Sequence, residues 1–132
     1  MPSALSTTSI IGLALGALIG ASSALAIENE DMDFDTTEDL YQVCSVPPGA
    51  PEYAVASFAC RGFIEGAVQY HDAVSDRENL KRLICYPNTA TVEDGRAAFV
   101  AWAKSRADTP ARMEELPVVG LVRALADKYP CK

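Results

Sequence analysis

Residues 58–67, "FACRGFIEGA", place a cysteine two residues before a glycine and repeat that glycine four residues on. The surrounding spacing predicts a long helix from about Glu52 to Val74. Along it Val55, Phe58, Ala59, Gly62, Phe63, Gly66, Ala67, Tyr70 and Val74 recur at intervals of three and four, the periodicity of one buried helical stripe. Cys60, offset by two from Gly62, points away from the Gly62 and Gly66 face. Those two glycines are expected to be helix-packing positions, lacking bulk where a second helix crosses closely. Each costs about 1 kcal/mol relative to alanine, which close packing would offset. Arg61, Glu65, Gln69 and Asp72 on the same helix argue against lipid as its surroundings.

Upstream, Thr36 or Thr37 can cap a short helix reaching Val43, with Glu38 and Asp39 in its first turn where the helix dipole favours acids. "CSVPPGAPEY" (44–53) breaks that helix, and Pro51 suits the first position of the next. Downstream, the charged stretch "SDRENLKRL" (75–83) leads to "ICYPNTATVEDG" (84–95), where Pro87 breaks the chain. Thr91 and Asp94 form a capping-box pattern opening a helix to about Arg106. Val92, Phe99, Trp102 and Ala103 would face inward. "ADTPARMEELP" (107–117) reads as a turn-rich connection with a helical turn at Ala111 to Glu114. A last helix starts near Pro117, carries Val118, Leu121, Val122, Leu125 and Tyr129 on its apolar face, and stops at Pro130. No alternating strand pattern of useful length is present, so the expected class is all-α: a small bundle of about four main helices.

Four cysteines, Cys44, Cys60, Cys85 and Cys131, are an even set with no Cys-x-x-Cys and no closely spaced pair of the kind zinc ribbons use. Two disulfides are expected and neither metal nor cofactor. Antiparallel packing of the first two helices across the proline loop would pair Cys44 with Cys60. A last helix returning along the third would pair Cys85 with Cys131. Loop closure gives each bridge about 3 to 4 kcal/mol, more for the longer loop.

The N-terminus reads differently. Ile10 to Ala26 is almost wholly Ile, Leu, Ala and Gly and closes on Ala24-Leu25-Ala26, the pattern of a secretory signal peptide cut after Ala26. No Lys or Arg precedes it, and a retained membrane anchor is the competing reading. Cleavage would give a periplasmic chain with no membrane association. Residues 27–39, "IENEDMDFDTTED", hold seven acids and no base, whereas residues 40–132 hold eleven of each. The whole formal charge of −7 therefore sits in this leader, read as a disordered acidic linker or as an arm for a basic partner. Nucleic acid is disfavoured because the counts leave no basic face. The domain proper is expected at residues 40–132.

Three of these stretches resemble a known family. "FACRGFIEGA" is similar to an aromatic, Cys-x-Gly-aromatic-Ile-x-Gly signature, "ICYP" (84–87) to a second cysteine motif, and "LVRALADKYPC" (121–131) to a closing Leu-x-x-Ala-Leu, aromatic-Pro-Cys ending. "ADTPARMEELP" also resembles the family's proline-containing connection. The chain thus resembles the Rap/Tai group of type VI secretion immunity proteins, small helical periplasmic domains, from about Leu40 to Cys131. The resemblance implies a protein partner: a peptidoglycan amidase effector, inhibited by a protruding loop that blocks its active-site cleft. A homodimer is left open. The matched positions are cysteines and packing glycines, which are scaffold and identify no contact residue. Binding residues concentrate on loops held by a rigid frame, so the candidate contact surface is the connection from Lys104 to Glu115, with Arg106, Asp108, Arg112 and Glu114, joined by the acidic leader.

Two other classes compete. The single histidine, His71, lies beside Asp72 on the polar flank of the long helix, where a surface role is commoner than a catalytic one. No nucleophile, base and orienting group can be assembled around it, so an enzyme is not expected. A periplasmic binding domain without a cognate amidase, or an acid-stress chaperone resembling the small helical Hde proteins, is the alternative. Eighteen acids could loosen such a domain on protonation.

Overall fold

The computed structural model describes residues 33–77 and 80–132. The expected signal segment at 1–26 and residues 27–32 of the acidic leader lie outside them. The described chain forms five helices: α1 (Thr37–Cys44), α2 (Tyr53–Arg77), α3 (Val92–Lys104), the single turn α4 (Pro110–Met113) and α5 (Pro117–Lys128). Among the described residues the only extended pairing is an isolated antiparallel bridge between Ile84 and Pro130. The all-α expectation holds, and the boundaries differ from it by up to three residues.

Local chemistry sets the helix ends. Thr36 and Thr91 each cap a helix through a complete capping box, in which the threonine hydroxyl accepts from the backbone N–H of Asp39 or Asp94 and that aspartate accepts from the cap's own N–H. The acidic run at 36–39 therefore begins the first helix. Pro117 opens α5, where its missing N–H costs nothing. Pro51 does not open α2; it sits in a turn, and the helix starts at Tyr53.

Helix α1 lies at the centre, packed against α2, α3 and α5, while α5 packs along α3. Their antiparallel course brings Lys128 near Asp94 at the start of α3, while Arg123 of α5 and Arg106, just beyond the end of α3, line one hollow. The core gathers Leu40, Ala56, Ile64, Ile84, Phe99, Ala103, Met113, Leu121 and Leu125. Cys44–Cys60 and Cys85–Cys131 are both bonded, with Cα atoms 5.1 and 4.9 Å apart, as expected. The first joins the C-terminal end of α1 to the early turns of α2. The second ties the segment before α3 to the residue after α5, reinforced by the Cys85 N–H donating to the Tyr129 carbonyl at 2.9 Å.

The stripe expected on α2 is rotated. Its buried apolar residues are Ala56, Cys60 and Ile64, the face that carries the disulfide, with Ser75 also buried near its end. Val55, Phe58 and Tyr70 are exposed, and Gly62 and Gly66 are exposed with no neighbour within 4 Å of where a Cβ would stand. The two glycines therefore pack against none of the described residues. A disulfide fixes which side of a helix turns inward, and here it overrides the broader apolar stripe. The close helix approach occurs instead at Gly120 of α5, where an added Cβ would stand 2.4 Å from the Thr37 side chain.

Candidate functional site

The connection between α3 and α5 runs over the surface from Lys104 and is fixed at its far end by three devices. Met113 is buried in the core and anchors the α4 turn. Thr37, wholly buried at the start of α1, donates its backbone N–H to the Glu115 carbonyl at 2.8 Å. Its hydroxyl lies 3.0 Å from the same oxygen and 3.2 Å from that of Leu116. Gly120 makes this approach possible, because any side chain there would occupy the space of Thr37.

The third device is ionic. Glu115 accepts from Arg112 Nη1 at 2.9 Å and from Arg123 Nε and Nη2 at 2.9 and 3.1 Å, the second a two-point contact across the break at Pro117. The hydrogen bond from Arg123, followed by that from Arg112, holds the Glu115 carboxyl below the usual carboxylate range despite some desolvation. Arg106 lies with its guanidinium carbon 6.0 Å from the Trp102 ring centre, at the outer limit of a cation–π contact. Trp102 Nε1 donates to Asp127 at 3.1 Å. Arg106, Arg112 and Arg123 thus border one shallow hollow between the connection and α5, with Trp102 as its aromatic wall.

Of the residues expected to make contacts, Lys104, Arg106, Asp108 and Glu114 are exposed on this connection, as the sequence reading places them. Arg112 and Glu115 are half-buried and paired with each other, so they shape the loop as well as line it. Leu116 and Val118, exposed just beyond, add an apolar edge that the sequence reading did not single out. Val118 is expected on the buried face of the last helix but is 41 % exposed. It lies next to the helix start, where only one side of the first turn meets the core.

His71 also differs from expectation. Its side chain is 9 % exposed, with Nδ1 3.0 Å from Asp72 and Nε2 accepting the Leu83 N–H at 3.2 Å. Arg82 and the Tyr86 hydroxyl donate to the same Asp72 carboxylate. Burial raises the Asp72 pKa, but the hydrogen bonds from Tyr86, His71 and Arg82 outweigh it and leave the carboxyl below its ordinary value. The Tyr86 hydroxyl is pushed up, chiefly by its bond to Asp72. These contacts fasten residues 82–86 to the last turns of α2, although Arg82 Nε is buried without a hydrogen-bond partner among the described residues. The ring satisfies a backbone N–H and an adjacent carboxylate, which is a fastening role.

An apolar cavity of about 230 Å³ opens at the other end of α3, between Ile64, Val68, Ile84, Tyr86, Val92 and Leu125. No helix of the described residues is long and apolar enough to cross a membrane.

Comparison with curated proteins and with solved structures gave no match. The model of one family, the Rap1a immunity proteins, matches residues 36–131, from the α1 cap through the final disulfide. That span covers every described helix and both disulfides, and the chain belongs to the Rap1a immunity protein family.

Proposed function

We propose that this protein is exported to the periplasm and there binds and inhibits a peptidoglycan amidase delivered by a type VI secretion system, protecting the cell that makes it. The family match over residues 36–131 carries the reading, since an immunity protein acts by binding a secreted effector. Within it, the connection from Lys104 to Glu115 enters the amidase cleft. Support comes from its geometry: an exposed, charged loop whose end is fixed by Met113, by Thr37 and by the Glu115 ion cluster needs little ordering on binding.

The test begins with capture of binding proteins on the oxidised protein from a lysate of the source organism, followed by assay of peptidoglycan cleavage by what is captured. The expected result is a stoichiometric cell-wall amidase whose activity is abolished in the complex. An amidase that stays active when bound, or capture without any hydrolase, overturns the proposal. Reversing the charges of Asp108 and Glu114 together is expected to weaken the complex at least tenfold, and unchanged affinity would remove the connection from the interface. Export is checked by N-terminal sequencing of the protein recovered from the periplasm, which should begin at Ile27.

A further inference from the structure

The apolar cavity at the N-terminal end of α3 lies at the opposite end of that helix from the Lys104–Glu115 connection. Buried Ile64, Ile84 and Leu125 form its floor together with Gly95. Gly95 stands inside α3, its N–H donating to the Thr91 carbonyl at 3.1 Å, and glycine inside a helix is less stable than alanine. No close approach requires it. An added Cβ would stand 3.4 Å from Ile64 Cγ2 and 3.7 Å from Leu125 Cδ2, van der Waals distances, with no other tertiary contact within 4 Å among the described residues. Alanine would therefore fit, strengthen the helix and fill part of the cavity. The glycine leaves that space open. Well-packed interiors hold few voids larger than a water molecule, so a void enlarged by the weaker helix former points to an occupant.

Size and polarity define that occupant. The cavity holds about 230 Å³. Apolar cavities of about 150 Å³ take up benzene, whereas pockets for drug-sized ligands run from about 300 to 1,000 Å³. One ring or a short branched chain fits; a lipid or a nucleotide cofactor does not. At the mouth the exposed Glu65 and Gln69 offer hydrogen-bond acceptors. The Gln69 amide nitrogen donates to the Glu65 carboxylate at 3.2 Å, which leaves the Gln69 carbonyl oxygen and the rest of that carboxylate free to accept. No cation pairs with Glu65 among the described residues. The hydroxyls of Tyr86 and Thr91, which also line the cavity, are committed to Asp72 and Asp94. An apolar body with a cationic, donating head matches this arrangement. We propose that the cavity is a binding site for small amphipathic amines. A single ring or short branched alkyl group sits against Ile64, Ile84 and Leu125, and its ammonium donates at the mouth to Glu65 and to Gln69 Oε1. The site does not depend on the identity of any effector.

Methyl NMR of the purified, oxidised protein, titrated at neutral pH with benzylammonium, benzyl alcohol and benzoate, tests this. The three probes share a ring and differ in the head group. Benzylammonium should move the methyl signals of Ile64, Ile84 and Leu125 and saturate with a dissociation constant of about 1 mM, the scale for a ligand of this size. Benzyl alcohol should bind about threefold more weakly, the scale of one solvent-exposed charge pair, and benzoate more weakly still. Glu65→Gln should remove the preference for the ammonium over the alcohol. Gly95→Ala should raise the urea midpoint while weakening binding about fivefold, the scale of one methyl group of lost space. Val68→Phe, which fills the cavity from α2, should abolish binding. Signals that no probe moves, benzoate binding as tightly as benzylammonium, or a Gly95→Ala protein less stable than the original each overturn the proposal. So does binding undiminished by Val68→Phe, which would place the probes elsewhere. Signals that move with protein concentration alone would mean that a second copy fills the cavity, and would overturn it too.

Discussion

At the scale of single residues, three glycines of similar appearance in sequence carry opposite consequences. An alanine at Gly120 would place its Cβ 2.4 Å from both Cγ2 and Oγ1 of Thr37, a buried β-branched side chain that cannot swing aside. It would also displace the hydroxyl that holds the base of the connection. Gly120→Ala is therefore expected to cost about 1–3 kcal/mol, the range for overpacking. Gly62→Ala and Gly66→Ala meet none of the described residues and should each stabilise the protein by about 0.5–1 kcal/mol. Urea unfolding separates the two cases. The carboxylates make a second prediction. Asp72, Asp94 and Glu115 all lie below their ordinary values, each held by hydrogen bonds to its charged form. A carboxyl depressed in the folded state contributes stability above its unfolded value, and that contribution is lost as pH falls through the folded value. The ordinary values are 3.8 for the aspartates and 4.5 for Glu115, so the unfolding midpoint should be flat near neutrality and fall below about pH 4.5. Glu115→Gln should lower the midpoint at neutral pH and flatten the acid limb.

At the scale of elements, the helices were legible because their ends are written in short-range chemistry. Thr91 and Asp94 stand three apart, and Pro117 and Pro130 bracket α5. Thr91→Ala should cost about 1 kcal/mol, read from chemical denaturation. Orientation was less legible. The apolar positions of α2 span more than half its circumference, so spacing alone could not say which side faces in; the bond from Cys60 to Cys44 decides it. The antiparallel return of α5 along α3, and with it the Cys85–Cys131 pairing, followed from proline breaks and could be inferred. The candidate contact residues could be placed on an exposed connection, but its anchoring could not be foreseen. Arg112 and Glu115 stand three apart and are visible in the sequence, whereas Arg123 joins them across a helix break and Thr37 reaches them from 78 residues away. A further tie escaped the sequence entirely. Arg96 on α3 donates Nε to the Cys44 carbonyl at 2.8 Å, satisfying a free end of α1, and ion-pairs with Glu93. Arg96→Ala should cost about 1.5–3 kcal/mol, the range for a charged donor, and loosen α1 in hydrogen exchange before the rest of the domain.

At the scale of the whole molecule, the domain is small, five helices around a core of about a dozen side chains, and its stability leans on covalent closure. The Cys44–Cys60 bridge spans 16 residues of sequence and the Cys85–Cys131 bridge spans 46. Loop entropy alone gives about 3 kcal/mol for the first and about 4 for the second. Together these approach the whole folding free energy of an ordinary small domain, about 5–15 kcal/mol. The second bridge also has the larger structural consequence. Residues 82–86 meet the rest of the fold through the Asp72 cluster, the Ile84–Pro130 bridge and that disulfide, and both ends of the α3–α5 unit are clamped there. Replacing Cys85 and Cys131 with serine should therefore lower stability more than replacing Cys44 and Cys60, by about 1 kcal/mol on the entropic estimate. Adding reductant to the native protein should bring it close to its unfolding midpoint at ambient temperature. Far-ultraviolet circular dichroism during urea titration, with and without dithiothreitol, measures both effects. A reduced protein as stable as the oxidised one would place the folding energy in the helix packing alone.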